Sequence, residues 1–147
     1  MKFISLTQDK FAKVDNKDFK KLSSFKWFYS EKHGACAGSG RKLMHRIVLN
    51  APKYLEVDHL NGDKLDNRRK NIRLCTHAEN MRNRKVDKST YSGFKGVRNN
   101  HGKWQAYINF ENKFIYLGNY SDKKKAARAY NKAAKMYFRD FAKLNEI

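Results

Sequence analysis

Cysteine, proline and acidic side chains are scarce in this chain, and long apolar runs are missing altogether. The two cysteines, Cys36 and Cys75, lie far apart in no paired spacing, which argues against a disulfide scaffold and predicts a reduced, intracellular compartment. Grouping them with His33 and His77 as a zinc centre finds no support in ligand spacing, so both are read as small buried residues. No apolar run approaches the roughly 18 residues that a bilayer crossing needs. Met1–Leu6 is too short an apolar stretch for a secretory signal, and neither end carries a lipidation signature. A membrane partner is therefore not expected.

The shortage of carboxylates matters most. Against 14 Asp and Glu stand 33 Lys and Arg, a formal net charge of +19 and a pI near 10.0. Such an imbalance costs self-repulsion in the folded state unless a partner neutralises it, so a polyanion is expected. The excess is shared: 21 − 10 = +11 over residues 1–88 and 12 − 4 = +8 over residues 89–147. With 40% hydrophobic and 14% aromatic residues, a packed core is still expected.

The 147 residues suit one domain or two small ones. A polar stretch, Lys85 to Gly93, breaks the apolar periodicity and predicts a linker, with domains over 1–86 and 91–147. In the first half, Phe3–Leu6, Phe11–Val14 and Leu43–Leu49 read as short apolar strands. Asp15 to Ser24 holds a short helix with Phe19 and Leu22 on one face, and Gly34 to Gly40 reads as a small-residue loop. After the single proline, Pro52, a strand over Tyr54–Val57 delivers Asp58 and His59 at its end. A loop rich in Asn, Gly and Asp follows, then a strand over Ile72–Cys75. Thr76 with Glu79 three residues on forms a capping box for the next helix.

Asp58, His59, Asn71 and Asn80 fall within 23 residues on this strand, loop, strand, helix frame. Phosphodiester hydrolysis needs an activated water, a cation on the phosphate oxygens and help for the departing alkoxide. His59 is the candidate general base, because imidazole titrates near neutrality. Asp58 offers a hard oxygen to a divalent cation. Asn61-Gly62-Asp63 and Asp66-Asn67 are ordinary turn formers. His77 lies three residues before Asn80 and either lines the site or only caps the helix, while His45 beside Arg46 reads as packing or backbone binding. The basic residues Arg68, Arg69, Lys70, Arg73, Arg82, Arg84 and Lys85 surround the constellation and are expected to hold phosphate.

The four positions resemble the HNH nuclease motif in the variant that ends in Asn. Leu6–Lys10, Met44-His45-Arg46 and Asn67 to Ile72 are similar to phage and intron-encoded HNH homing endonucleases, over about residues 3–84. The resemblance implies a ββα-metal unit in which His59 and Asn71 are catalytic, Asn71 holding the loop and orienting His59. It implies that Asp58 and Asn80 ligate the metal, with Mg2+ expected and Mn2+ an alternative.

Beyond the linker, Ser92–Arg98, Gly102–Ile108 and Ile115–Tyr120 read as three strands, followed by a helix over Ser121–Phe138 with Ala127, Tyr130, Ala134 and Tyr137 on one face. Alternation puts Trp104, Ala106, Ile108, Ile115 and Leu117 on the helix side, and Lys103, Gln105, Tyr107, Asn109 and Tyr116 on the other. Gly96-Val97-Arg98, Gly102-Lys103, Tyr116-Leu117-Gly118 and Ala126 to Asn131 resemble the APETALA-type domain of plant ethylene-response factors over about residues 91–145. That resemblance implies a sheet entering the DNA major groove through Arg98, Lys103, Gln105, Tyr107, Asn109 and Tyr116. Asn100, Tyr107 and Asn109 depart from the plant pattern, so no base preference carries over.

The sequence thus predicts an α+β chain: a ββα-metal nuclease unit followed by a three-stranded antiparallel sheet packed on one helix. The expected activity is metal-dependent endonucleolytic cutting of double-stranded DNA, site-directed as in homing enzymes. The expected setting is a bacterial cytoplasm, with a phage or mobile element as the source and a monomer favoured. The competing class is a catalytically inactive, sequence-specific DNA-binding regulator. An RNA-binding protein is less favoured, because no stacking motif of the usual RNA modules occurs.

Overall fold

A computed structural model describes residues 1–39, 42–83 and 91–147. They form two compact units, Met1–Asn80 and Met81–Ile147. Most of the predicted linker lies in residues 84–90, outside the described residues.

In the first unit, β1 (Lys2–Ser5) pairs antiparallel with β2 (Phe11–Val14). Alternation along β2 buries Ala12 and Val14 and leaves Phe11 exposed. Helix α1 (Asn16–Leu22) buries Leu22, and Phe19 packs beside the same core. A second sheet runs β3 (Trp27–Ser30), β4 (Gly34–Ala37), β5 (Lys42–Leu43), with β4 in the middle.

Two expectations fail here. The small-residue stretch from Gly34 is a buried central strand over Gly34–Ala37, not a loop. Small side chains let neighbouring backbone approach closely: Gly34 has φ +77°, and a Cβ there would stand 2.5 Å from the Lys64 carbonyl oxygen. The apolar run from Leu43 is likewise not a strand beyond its first residue. Met44–Leu49 is helix α2, which buries Met44, His45 and Val48 together and ends at Asn50 with φ 50°. Strand alternation would have put His45 opposite Met44 and Val48, whereas helical spacing gathers all three on one side.

Strand β6 (Glu56–His59) pairs antiparallel with β7 (Ile72–Cys75), Asp58 opposite Arg73 and His59 opposite Ile72. The strand begins two residues later than expected, and Tyr54 is exposed, so Asp58 and His59 lie within the strand. Helix α3 (His77–Asn83) follows, with Thr76 and Glu79 forming the capping box: Thr76 N–H donates to Glu79 Oε2 at 2.8 Å and Glu79 N–H to Thr76 Oγ1 at 3.3 Å.

In the second unit, β8 (Val97–Asn100), β9 (Lys103–Phe110) and β10 (Lys113–Tyr120) form an antiparallel sheet with β9 in the centre. Helix α4 (Lys123–Phe138) covers one face. Its Ala126, Ala127, Ala133 and Ala134 are buried, so the helix lies close to the sheet, with Tyr130 buried between the two alanine pairs and Phe138 at the C-terminal end. Ala106 and Ile108 are buried beneath α4, with Ile115 and Leu117 packed beside them, and a bulge between Tyr116 and Gly118 shifts the register of β10.

Candidate active site

The β6–β7 hairpin sets the site, and its connecting loop is pinned in several places. Asn61 Oδ1 accepts from Asp63 N–H at 2.8 Å and Asp63 Oδ1 from Leu65 N–H at 2.9 Å, two local turns of the kind that Asn and Asp favour. The loop then zips onto β2: Lys13 N–H donates to the Leu65 carbonyl and Asn67 N–H to the Lys13 carbonyl, both at 2.8 Å. Asn71 closes it. Its Nδ2 donates to the Asp66 carbonyl at 2.8 Å, its Oδ1 accepts from Asn61 N–H at 3.2 Å, and its own carbonyl accepts from Leu60 N–H at 2.8 Å.

His59 is 8% exposed. The side chain set against its ring nitrogen belongs to Asn67, which sequence reasoning treated only as a turn former. Asn67 Oδ1 lies 3.3 Å from His59 Nε2. Asn71 therefore fixes the loop, and Asn67 is the carboxamide on the imidazole. A carboxamide oxygen accepts a hydrogen bond, so this contact favours the tautomer in which Nε2–H donates to Asn67 Oδ1 and Nδ1 carries the lone pair. The His45 ring meets His59 edge-on with centroids 5.1 Å apart. Burial lowers the pKa of both histidines, His45 to about 3, while Asn67 and the nearby Asp58, Asp63 and Asp66 pull His59 partly back. Neutral His59 is the form a general base requires.

Asp58 and Asn80 both already engage protein groups. Arg73 donates to Asp58 Oδ2 through Nη2 at 2.8 Å and Nε at 3.0 Å. Asn80 Nδ2 donates to Glu56 Oε2 at 2.6 Å, and His77 Nδ1 stands 2.7 Å from Glu56 Oε1. Those two contacts hold the Glu56 carboxyl below its ordinary pKa. Sequence reasoning missed Glu56, although its place two residues before Asp58 puts both carboxylates on one face of a strand. Among the described residues no three His, Cys, Asp or Glu side chains converge as a metal cage. Cys75 is pushed up to about 11, mainly by burial and then by Asp58 and Glu56, so at neutral pH it is a thiol.

The arginines expected on phosphate are placed unequally. Arg68 Nε donates to Asp66 Oδ1 at 2.7 Å. Arg69 is a staple: its backbone N–H donates to Asp15 Oδ2 at 2.8 Å and its guanidinium to both oxygens of Asp18. Asp15, at the N-terminus of α1, makes no side-chain capping bond to that helix. In the second unit, Arg82 lies over the rings of Phe110 and Phe138 at 5.5 and 5.0 Å. Arg84 falls outside the described residues. On the open sheet face, Arg98 Nε donates to Gln105 Oε1 at 2.6 Å, which leaves Gln105 buried, and the guanidinium stands over the stacked rings of Tyr107 and Phe114. Lys103, Asn109 and Tyr116 are exposed.

Residues 42–82 match the HNH endonuclease family. The chain is 29% identical over 134 residues to an uncharacterized HNH endonuclease of Acanthamoeba polyphaga mimivirus, an alignment that covers 86% of this chain and 70% of that protein. As 86% of 147 residues exceeds the 80 of the first unit, this similarity runs on into the second. The hairpin and helix that carry Asp58, His59, Asn71 and Asn80 thus lie within the 42–82 stretch that matches the HNH endonuclease family.

Proposed function

We propose that the chain is a metal-dependent DNA endonuclease with His59 as general base. The observation that carries this reading is the buried, neutral His59 held by Asn67 at 3.3 Å, next in the chain to the Asp58 carboxylate. His59 Nδ1 takes a proton from water, the oxygen forms a bond to phosphorus, and the bond from phosphorus to the 3′ oxygen breaks. The alkoxide is reprotonated from solvent. Asn67 keeps the imidazole in the tautomer that allows this, and Asn71 keeps the loop in place.

The donor set fits a hard divalent cation, Mg2+ first and Mn2+ as the alternative. Asp58 supplies a carboxylate, and Asn80 bonds Glu56 through its nitrogen, so its carboxamide oxygen is the atom left for a cation. Asp58 and Asn80 would hold it. When bound, a cation polarises the phosphate and stabilises the departing oxygen. The pair between Asp58 and Arg73 competes for the same carboxylate, so holding a cation on Asp58 would require Arg73 to give up part of that contact.

The second unit serves as an APETALA-type DNA-binding module that makes the cutting site-directed, as in homing endonucleases. Its sheet carries Arg98, Lys103, Tyr107, Asn109 and Tyr116 on the face that α4 does not cover. The inactive-regulator alternative is decided by incubating supercoiled plasmid with the protein in magnesium or chelator, alongside His59→Ala. A metal-dependent nick that His59→Ala abolishes supports the enzyme. Intact plasmid with the wild type across several substrates and both metals rejects it.

A further inference from the structure

Charge on α4 is distributed unlike charge elsewhere in the chain. The helix contains no Asp or Glu, and its exposed residues are Lys123, Lys124, Lys125, Arg128, Lys132, Lys135 and Met136. Lys124, Arg128, Lys132 and Lys135 follow at spacings of four, four and three, which makes one continuous stripe. An ordinary solvated helix mixes signs so that residues four apart attract, whereas like charges at that spacing repel. Three lysines also stand in the first turn, where the helix dipole disfavours cations. No ion pair among the described residues involves a side chain of α4, while Lys13, Arg68, Arg69 and Arg73 all have carboxylate partners. Among the described residues, the Asp122 carboxylate at the N-cap faces Lys125 and Arg128, and no ion pair reaches Lys124, Lys132 or Lys135, so most of the stripe's repulsion would be relieved by an external polyanion.

Three features of the helix choose the partner. Its apolar face is committed to the sheet through Ala126, Ala127, Tyr130, Ala133, Ala134 and Phe138, and the single exposed Met136 is too little apolar surface to enter a lipid layer. Lys124 to Lys135 spans about 16 Å at the helical rise of about 1.5 Å per residue, enough to follow several phosphates of a duplex. Lastly, the stripe has no aromatic residue on which an unpaired base could stack.

We propose that the outer face of α4, through Lys124, Arg128, Lys132 and Lys135, is a backbone-binding surface for double-stranded DNA, separate from the open face of the β8–β9–β10 sheet. The inference rests on the reading that the chain acts on DNA. Because α4 covers one face of that sheet, its outer surface and the open sheet face point in opposite directions, so the stripe is an independent contact.

The test neutralises the stripe in the full chain as Lys124→Gln, Arg128→Gln, Lys132→Gln and Lys135→Gln, substitutions that keep helix propensity high. A charge-matched control neutralises Lys17, Lys20, Lys21 and Lys26 on and after α1. Thermal unfolding checks that both variants fold. Duplex affinity is measured from low to high salt, and each lost phosphate contact should lower the slope of log K against log salt by about 0.9. The stripe variant is expected to lose about two to four units of slope, and the control less than one. A change below one unit in the stripe variant, or an equal loss in the control, overturns the proposal. So does a stripe variant that keeps its duplex slope while losing binding to phosphatidylserine vesicles or to an RNA hairpin. Plasmid cutting by the wild type separates the two ideas. Cutting with an unchanged slope defeats only the role of α4, whereas a wild type that neither binds nor cuts duplex defeats the nuclease reading as well.

Discussion

Acidification is expected to unfold the first unit through His45. This side chain on α2 is 9% exposed, and its Nδ1 meets no hydrogen-bond partner among the described residues. Burial, then the charges of His59, Arg46 and His33, lower it from 6.5 to about 3. The folded chain keeps His45 neutral down to that value, while the unfolded chain protonates it below about 6.5. Between the two, the unfolded state binds more protons, so stability rises with pH. The contribution is complete above pH 6.5, is lost progressively as pH falls, and is exhausted near pH 3. At about 1.4 kcal/mol per pH unit, acidifying two units below the unfolded pKa costs about 2.7 kcal/mol, and the whole window at most about 5 kcal/mol. That is a large share of the roughly 5–15 kcal/mol that holds a domain together. The assay is urea unfolding in a Trp104→Phe background, where the remaining tryptophan, Trp27, reports on the first unit. His45→Met removes the titration with a side chain that adapts to irregular apolar space. From pH 6.5 to 4.5 it should lose about 2 kcal/mol less than its parent. Some slope should persist, because burial lowers His59 as well. Parallel curves for the two chains would refute the assignment.

Asn67→Ala is expected to lower the cutting rate about 10- to 100-fold, in line with lost support of a reacting group, with little change in duplex affinity. Nitrogen NMR of the His59 ring should show the Nε2–H tautomer in the parent and a mixture in the variant; an unchanged ring would remove Asn67 from this role. Arg69→Ala should destabilise the first unit by about 1–2 kcal/mol, less than a fully buried pair because the arginine side chain is 41% exposed. It should barely alter the salt dependence of DNA binding, and a drop of a full unit in slope would make Arg69 a phosphate contact instead. Gly96→Ala should cost the second unit at least about 3 kcal/mol, through positive-φ strain and overpacking. Gly96 has φ +68°, and a Cβ there would stand 2.0 Å from the Tyr130 ring and 2.5 Å from the Tyr107 carbonyl oxygen. Near-parental thermal stability of the variant would contradict that crowding.

What was legible in the sequence is what local chemistry dictates. The Thr76–Glu79 box, the β7 strand and the β8–β9–β10–α4 order follow from period and turn residues, and all but β8 occur where expected to within a few residues; β8 begins at Val97, five residues later than expected, because Tyr91 to Gly96 is turn. Errors fell where tertiary contact outweighed pattern. Gly34–Ala37 lacks strand formers, but in the middle of a sheet small size is what the neighbouring Lys64 backbone demands. Met44–Leu49 is short and apolar throughout, a run for which periodicity cannot separate strand from buried helix. The site was legible as a set of residue types but not as a set of partners. Asn67 looked like another turn residue because its contact with His59 depends on the loop being zipped to β2, which no spacing rule reveals.

Side-chain geometry also separates cations that a charge count treats alike. Arg68, Arg69 and Arg73 stand close to the motif in sequence, and each guanidinium lies on a carboxylate, of Asp66, Asp18 and Asp58. Arginine suits that use, since its planar fork meets a carboxylate through two parallel bonds. Lysines dominate the α4 stripe, where compact hydrated charges on flexible stems make no ion pair among the described residues and suit a backbone contact that reads no sequence. The net charge of +19 therefore overstates what the first unit presents to DNA around its hairpin and understates the concentration of unneutralised charge on α4. If cutting and holding are divided in this way, neutralising α4 should weaken binding at every duplex sequence to the same degree and leave the rate at saturating DNA intact. His59→Ala should do the reverse.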